Sequence, residues 1–208
     1  MRRKLHPDPR SEERYHEILA ASVRLFARHG YGKTSIDRIA KQVHATKGLI
    51  YYYFRSKDAI LSAMVKEYDF TPAIANIGSI PLDVPVDEAL ALIVRGSMRL
   101  LDTRVEYVRF LYTEGQFLNK QSEQLMRAIL ERWAAAVADF LRARLASGEL
   151  HAHDPELAAQ IIIDAVLAFF LKTRVIHPQL AKPIRGREYF GQWIDAFLNG
   201  LRRPAGVA

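Results

Sequence analysis

Apolar residues in the first third of the chain recur at helical spacing. In SEERYHEILAASVRLFARHGYG, Ile18, Leu19, Val23, Leu25 and Phe26 fall on one side of a helix, with Ser11 as its expected cap and Gly30 as its stop. TSIDRIAKQV predicts a short second helix, capped by Thr34 or Ser35, with Ile36, Ile39, Ala40 and Val43 inward. Thr46 caps a third helix running to about Phe54, and Ser56 caps a fourth through RSKDAILSAMVKEYDF. NIGSIPLDVPVDEA, with Gly78, Pro81 and Pro85, reads as a connection. Five more helix candidates with wide apolar faces follow it; Gly148 ends one, and Asp154 and Pro155 open the next. No stretch alternates as a strand does, and no repeat is found. The pattern predicts an all-α chain, with a three-helix helix-turn-helix domain over residues 1–55 and a helical domain over 56–208.

The third helix carries the chemical signal. At about 100° per residue, Ile50 and Phe54 turn inward, Gly48, Leu49 and Tyr52 lie on the opposite side, and Tyr51 falls on the flank. Three consecutive tyrosines, 51 to 53, cannot all be core residues, so one or two present rings and hydroxyls to a partner. Gly48 inside a helix costs about 1 kcal/mol relative to alanine. Either a backbone or sugar-phosphate chain passes close to it, or the glycine is merely tolerated.

Charge sharpens this picture. Residues 1–66 hold 14 Lys/Arg against 6 Asp/Glu, whereas residues 67–208 hold 16 against 17, so the whole excess of the +7 chain lies at the N-terminal end. Such asymmetry suits a polyanion partner; the alternative is a solvated basic surface. The chain has no cysteine, which excludes disulfides, zinc–thiolate sites and a thiol nucleophile. The basic start has no apolar core of a signal peptide, and no stretch approaches eighteen uninterrupted apolar residues, so a soluble cytoplasmic protein without membrane contact is expected.

The segment ILAASVRLFARHGYGKTSIDRIAKQVHATKGLIYYYFRSKDAIL, residues 18–61, resembles the N-terminal DNA-binding domain of the tetracycline-repressor (TetR) family, in motif order and without insertion. The residues that carry the resemblance include Ile18-Leu19, Leu25-Phe26, Gly30, Thr34-Ser35, Ile39-Ala40, Gly48, Tyr51, Phe54, Ser56-Lys57 and Leu61. His44 departs from it by standing where the family has glycine in the turn, a left-handed position that strains histidine. Leu49-Ile50 departs as well, where the family often has a polar residue before leucine. The resemblance implies double-stranded DNA as partner, with the third helix in the major groove and Thr46, Lys47, Gly48, Leu49 and Tyr52 near base edges or sugars. It places Tyr51 and Lys57 at phosphates, and Thr34 and Ser35, with a hydroxyl and backbone N–H groups, at another. Lys33, Arg38, Lys41, Arg55 and the arm at residues 2–4 add sequence-independent attraction. Phe54 and Tyr53 then brace the small domain, while Tyr51 and Tyr52 face the nucleic acid; rim packing on the first helix is the position favoured for Tyr53.

Two uses compete for the apolar surface of the larger region. The last two helices are apolar on more than one face, and in the resembled family they form a four-helix homodimer interface. Ile161, Ile162, Ala165, Phe169, Phe190, Trp193, Ile194 and Phe197 are the interface candidates, with intramolecular core as the alternative. A two-fold dimer would set two recognition helices on successive grooves of a near-palindromic operator. The second use is a pocket for a small lipophilic or acidic-lipophilic effector, with Met98, Tyr107, Phe110, Tyr112, Gln116, Phe117 and Trp133 as candidates and arginines as anchors for an acidic head. Such an effector would shift the population away from the DNA-competent state.

Catalysis is not indicated. There is no phosphate-binding loop, nucleophile elbow or dinucleotide fingerprint, and no cofactor is implied. His151, His153 and Asp154 cluster in HAHDPE, but their spacing matches no established zinc or iron motif, so no metal is expected. The expected function is a ligand-responsive repressor. The alternatives are a helical protein-interaction module independent of DNA and a DNA-binding enzyme of helix-turn-helix type.

Overall fold

The structure is a computed structural model and describes residues 9–68, 70, 74–151, 153–181 and 186–201. The basic arm at residues 2–4 lies outside them. Nine α-helices are seen among the described residues: α1 (Pro9–His29), α2 (Ile36–Gln42), α3 (Lys47–Tyr53), α4 (Lys57–Glu67), α5 (Val86–Asp102), α6 (Val105–Glu114), α7 (Lys120–Ala146), α8 (Pro155–Phe170) and α9 (Gly186–Leu201). No strand occurs among the described residues, and no described helix is long and apolar enough to cross a membrane.

The chain divides into two compact units. One holds the described residues of Met1–Tyr68 together with Glu106–Met126; the other holds those of Asp69–Val105 and Arg127–Ala208. This grouping differs from a division after residue 55. Ile60, Leu61 and Met64 of α4 are fully buried and bind that helix to the N-terminal helices, and Phe110 of α6 meets the Phe26 ring at 5.9 Å.

In the first unit, Ile18, Leu19 and Phe26 of α1, Ile39 of α2 and Ile50 of α3 are all buried and form the core with α4. Helix α1 begins at Pro9, so Ser11 lies in its first turn instead of capping it. Proline suits that turn because its missing N–H has no helical partner there. Ser35, Thr46 and Ser56 cap α2, α3 and α4, accepting from the amides of Arg38, Leu49 and Ala59. Gly30, at φ +83°, stops α1. His44 does have left-handed backbone, at φ 49°, and is the one described non-glycine residue with positive φ. Its amide bonds to Lys41 O at 3.3 Å and the Ala45 amide to Ala40 O at 2.9 Å, the paired bonds of a Schellman turn.

In the second unit, α5 packs on α8 and α9. Asp154 caps α8 by accepting the Glu156 and Leu157 amides, with Pro155 in the first turn, and Gly148 at φ +80° follows α7. Helix α8 runs into a wider turn at Leu171–Ile176, where the His177 amide bonds to Lys172 O, five residues back.

His44→Gly should raise stability by about 1 kcal/mol, because a left-handed β-carbon costs roughly that much. Urea unfolding measures it. Gly30→Ala should move stability the other way, since its β-carbon would be strained at positive φ and would sit 3.4 Å from the Glu114 carboxylate.

Candidate nucleic-acid interface and effector cavity

Helix α3 has only seven residues, too few to be stable alone. Its cap at Thr46 and the burial of Ile50 and the following Phe54 hold it in place. Phe54 stacks on Tyr15 at 4.9 Å, and the Tyr53 hydroxyl lies 3.4 Å from Ser11 Oγ, so both lean on α1. What remains is outward: Lys47 and Gly48 are exposed, Leu49 is half-buried, and Tyr51 and Tyr52 are 45% and 77% exposed. A β-carbon on Gly48 would meet only Thr46 Oγ1 at 3.9 Å, so nothing inside the chain demands a glycine there.

The turn between α1 and α2 is gripped from two sides within the same unit. Lys57 Nζ donates to Tyr31 O at 2.7 Å and Thr34 O at 3.2 Å, and sits 4.1 Å from the Tyr31 ring centre. The Tyr31 hydroxyl donates to Asp58, while its amide donates to Glu114 Oε2 at 2.9 Å. Burial first, and then the Asp58 carboxylate, hold that hydroxyl protonated well above the usual tyrosine range.

Two residues expected at phosphates therefore stand differently from the expectation. Thr34 is 1% exposed and its hydroxyl donates inward to Gly30 O at 2.9 Å, closing the end of α1 instead of facing outward. Ser35 is exposed; its oxygen accepts the Arg38 amide and keeps its own hydrogen for an anion. Lys57 is half-buried, with two of its three ammonium hydrogens on carbonyl oxygens. Lys33, Arg38 and Thr46 are exposed, and Arg38 lies 3.1 Å from His29 Nε2. Lys47 pairs with Asp37 at 3.0 Å, and that hydrogen bond raises its pKa.

The second unit contains a cavity of about 510 Å³. Ile74, Asn76, Ile77 and Ile80 form one wall, Leu92, Ile93, Gly96, Ser97, Arg99, Leu100 and Thr103 of α5 and its end a second, and Trp133 of α7 a third. Arg99 is the one charged residue in this lining. Of the expected pocket residues, Trp133 alone lines this cavity. Tyr107 and Phe110 are core of the first unit, the former stacked on Tyr68 at 4.8 Å. Tyr112 and Phe117 are 56% and 43% exposed, Met98 is half-buried away from the cavity, and the Gln116 side chain lies outside the described residues. These aromatics share the helical spacing of a pocket wall, but α6 turns them to the first unit's core or to its surface. Sequence reading missed the isoleucines of residues 74–80, of which Ile77 and Ile80 sit in the segment 76–89 read as a plain connection and Ile74 just before it.

The interface candidates on the last two helices separate by face. Ile162, Phe169, Phe190 and Ile194 are 1 to 6% exposed and belong to the core of their own chain, because the inner faces of α8 and α9 pack within their unit. Ile161 is 45% exposed, and Ala165, Trp193 and Phe197 are partly so. With Leu157 and Ala168 on α8 and Tyr189 on α9, they form one partly exposed apolar stripe on each helix, Tyr189 also stacking on Phe169 at 4.7 Å. At the His151–His153 loop, His153 Nδ1 lies 2.8 Å from the His151 carbonyl oxygen, and no group of three potential ligands occurs among the described residues.

Comparison with known proteins places these features in context. Residues 18–64 match the family of bacterial regulatory proteins, tetR family, and residues 88–200 match the AefR-like transcriptional repressor C-terminal domain. The fatty acid metabolism regulator protein of Bacillus subtilis is 28% identical over 156 residues, covering 74% of this chain and 79% of that protein. The HTH-type transcriptional regulator HbdR of an Aromatoleum species is 46% identical over 55 residues, or 26% of this chain and 24% of its own. Among solved structures, FadR from Bacillus subtilis in complex with stearoyl-CoA aligns with a TM-score of 0.70 at 23% identity, covering 89% of this chain and 98% of that one. PfmR from Thermus thermophilus aligns at 0.72 and 21%, covering 89% and 96%. These structural likenesses are of fold.

Gly48→Ala separates fold from recognition. It should stabilise the protein by about 1 kcal/mol, since alanine is the better helix former and has room. The same change should weaken DNA binding, as read by fluorescence anisotropy with a labelled duplex.

Proposed function

The chain belongs to the TetR family of bacterial regulatory proteins and is a DNA-binding transcriptional repressor; on that premise we propose that it binds a near-palindromic operator as a homodimer and is released by a long-chain fatty acyl-CoA or a similar acidic amphiphile. Its place of action is the cytoplasm. The observation that carries the DNA reading is the outward face of α3, where Gly48 has open space around it and Tyr51 and Tyr52 turn most of their surface outward. Tyr51 donates its phenol to a phosphate, Tyr52 and Leu49 meet bases, and Ser35 with the amides at the start of α2 takes a second phosphate. Lys57, with one hydrogen left over, adds charge beside them.

Support for the dimer comes from the two leftover stripes, Leu157–Ile161–Ala165 on α8 and Tyr189–Trp193–Phe197 on α9, each at i, i+4, i+8 spacing. Water-exposed apolar stripes on adjacent helices suit a two-fold four-helix contact. Support for the effector comes from the cavity. Its volume falls in the range of small-molecule sites, its walls are largely aliphatic, and Arg99 can meet a phosphate or carboxylate. The resemblance to a regulator crystallised with stearoyl-CoA points to the same class.

The test begins with a duplex selected from a random pool by the wild-type protein. The selected site should be an inverted repeat with half-sites one helical turn apart, and affinity should fall steeply with salt. Lys57→Ala should weaken binding to all duplexes and reduce the salt slope by about 1, whereas Leu49→Ala should change sequence preference at one position of each half-site. Binding indifferent to sequence and salt would overturn the DNA roles. Stearoyl-CoA should release the duplex, and Arg99→Ala should raise the concentration needed by roughly tenfold, the loss of one charge-assisted hydrogen bond.

A further inference from the structure

Arg144, in the last turn of α7, is fully buried, though arginine is among the residues least often found so. Its guanidinium is occupied on one side by a single stretch of chain: Nη1 donates to Leu82 O at 2.9 Å and Val84 O at 2.7 Å, and Nη2 to Pro81 O at 2.9 Å. Nη1 also meets Glu149 Oε2 at 3.0 Å, while Glu149 Oε1 accepts the amide of Val86, the first residue of α5, at 2.8 Å. Pro85 precedes α5 and offers no side-chain cap, so Glu149 satisfies an amide that would otherwise be orphaned.

The segment so held is continuous with the cavity. Ile74, Ile77 and Ile80 of one wall lead directly into Pro81, α5 supplies the second wall, and Trp133 stands three turns before Arg144 on α7. Beyond the lining, the chain segments that carry these three walls meet at one cation. A turn over residues 81–84 could satisfy its carbonyls in water, whereas here they are met by a buried guanidinium, which is costly to bury and whose Nε has no hydrogen-bond partner among the described residues. An aliphatic residue at 144 would release the three carbonyl oxygens to water and free the segment from α7, and lysine lacks the planar fork that spans them.

We propose that Arg144, neutralised by Glu149, is the positioning residue of the effector cavity: it fixes the 74–85 strap against α5 and α7 and thereby sets how long an acyl chain the cavity accepts. This rests on the cavity being the effector site. Arg144 touches no effector itself, standing away from the lining, and acts through the strap.

The experiment uses the full chain with Arg144→Lys and Glu149→Gln, and two readouts. Hydrogen exchange without ligand should show amides of residues 74–85 exchanging at least tenfold faster in Arg144→Lys, with α2, α3 and α9 unchanged. Calorimetric titration should show stearoyl-CoA weakened at least tenfold and octanoyl-CoA less than threefold, so that the preference between chain lengths collapses while effector-free DNA affinity stays within twofold. Glu149→Gln should change both readouts in the same direction by a smaller factor, and it decides the matter alone if Arg144→Lys does not fold. Strap exchange unaltered in the folded variants, or acceleration spread evenly over the unit, overturns the proposal. Faster strap exchange in a protein whose wild type binds neither acyl-CoA would leave the clasp standing as a fold element and overturn both its effector role and the acyl-CoA reading.

Discussion

Two seven-residue helices, α2 and α3, must be held by their surroundings, because helices of that length are not stable alone in water. The hold is economical. Ile39 and Ile50 reach the core, hydroxyls at Ser35 and Thr46 satisfy the first amides, and the Schellman bonds at His44 set the angle between the two helices. Because Ile50 is the one buried residue within α3 and Tyr53 leans on α1, Gly48, Leu49, Tyr51 and Tyr52 are left on its outward side. The turn before α2 is fixed both by the buried Tyr31 ring, 5.1 Å from that of Phe26, and by its hydrogen bonds with Lys57, Asp58 and Glu114.

How far the sequence could be read follows from the range of the interactions. Caps at Thr46, Ser56 and Asp154, the stops at Gly30 and Gly148, and the strained turn at His44 are set within a few residues, and each was legible. The outward turn of Tyr52 was legible too, from helical phase, which left Tyr51 on the flank; the family resemblance added Tyr51. Burial of Thr34 was not, since its hydroxyl looks back to Gly30, and a threonine beside a serine offers no local sign of which one caps. The cavity was hidden for a stronger reason. Its first wall comes from a proline-marked connection, and the aromatics with the right spacing for it, Tyr107 and Phe110, pack into the other unit. Arg144 has the local sequence of an ordinary basic residue near a helix end.

Electrostatics adds restraint to the basic N-terminal part. Asp37 stands in the first turn of α2 and holds Lys47 at 3.0 Å, so a cation of the outward surface is partly compensated before any anion arrives. Exposed pairs of this kind contribute little to stability. Their larger effect is on choice of partner, because a phosphate or base must compete with the carboxylate for the lysine.

The wider turn at Leu171–Ile176 acts as a built-in ruler. Side chains within it fall out of phase with Leu157, Ile161, Ala165 and Ala168, as the burial of Val175 reflects. The smooth ridge on α8 therefore spans only 11 residue steps from 157 to 168, roughly 17 Å of helix. Any helix laid along it meets an abrupt end, so association is confined to a short crossing and cannot zip onward into an extended rope.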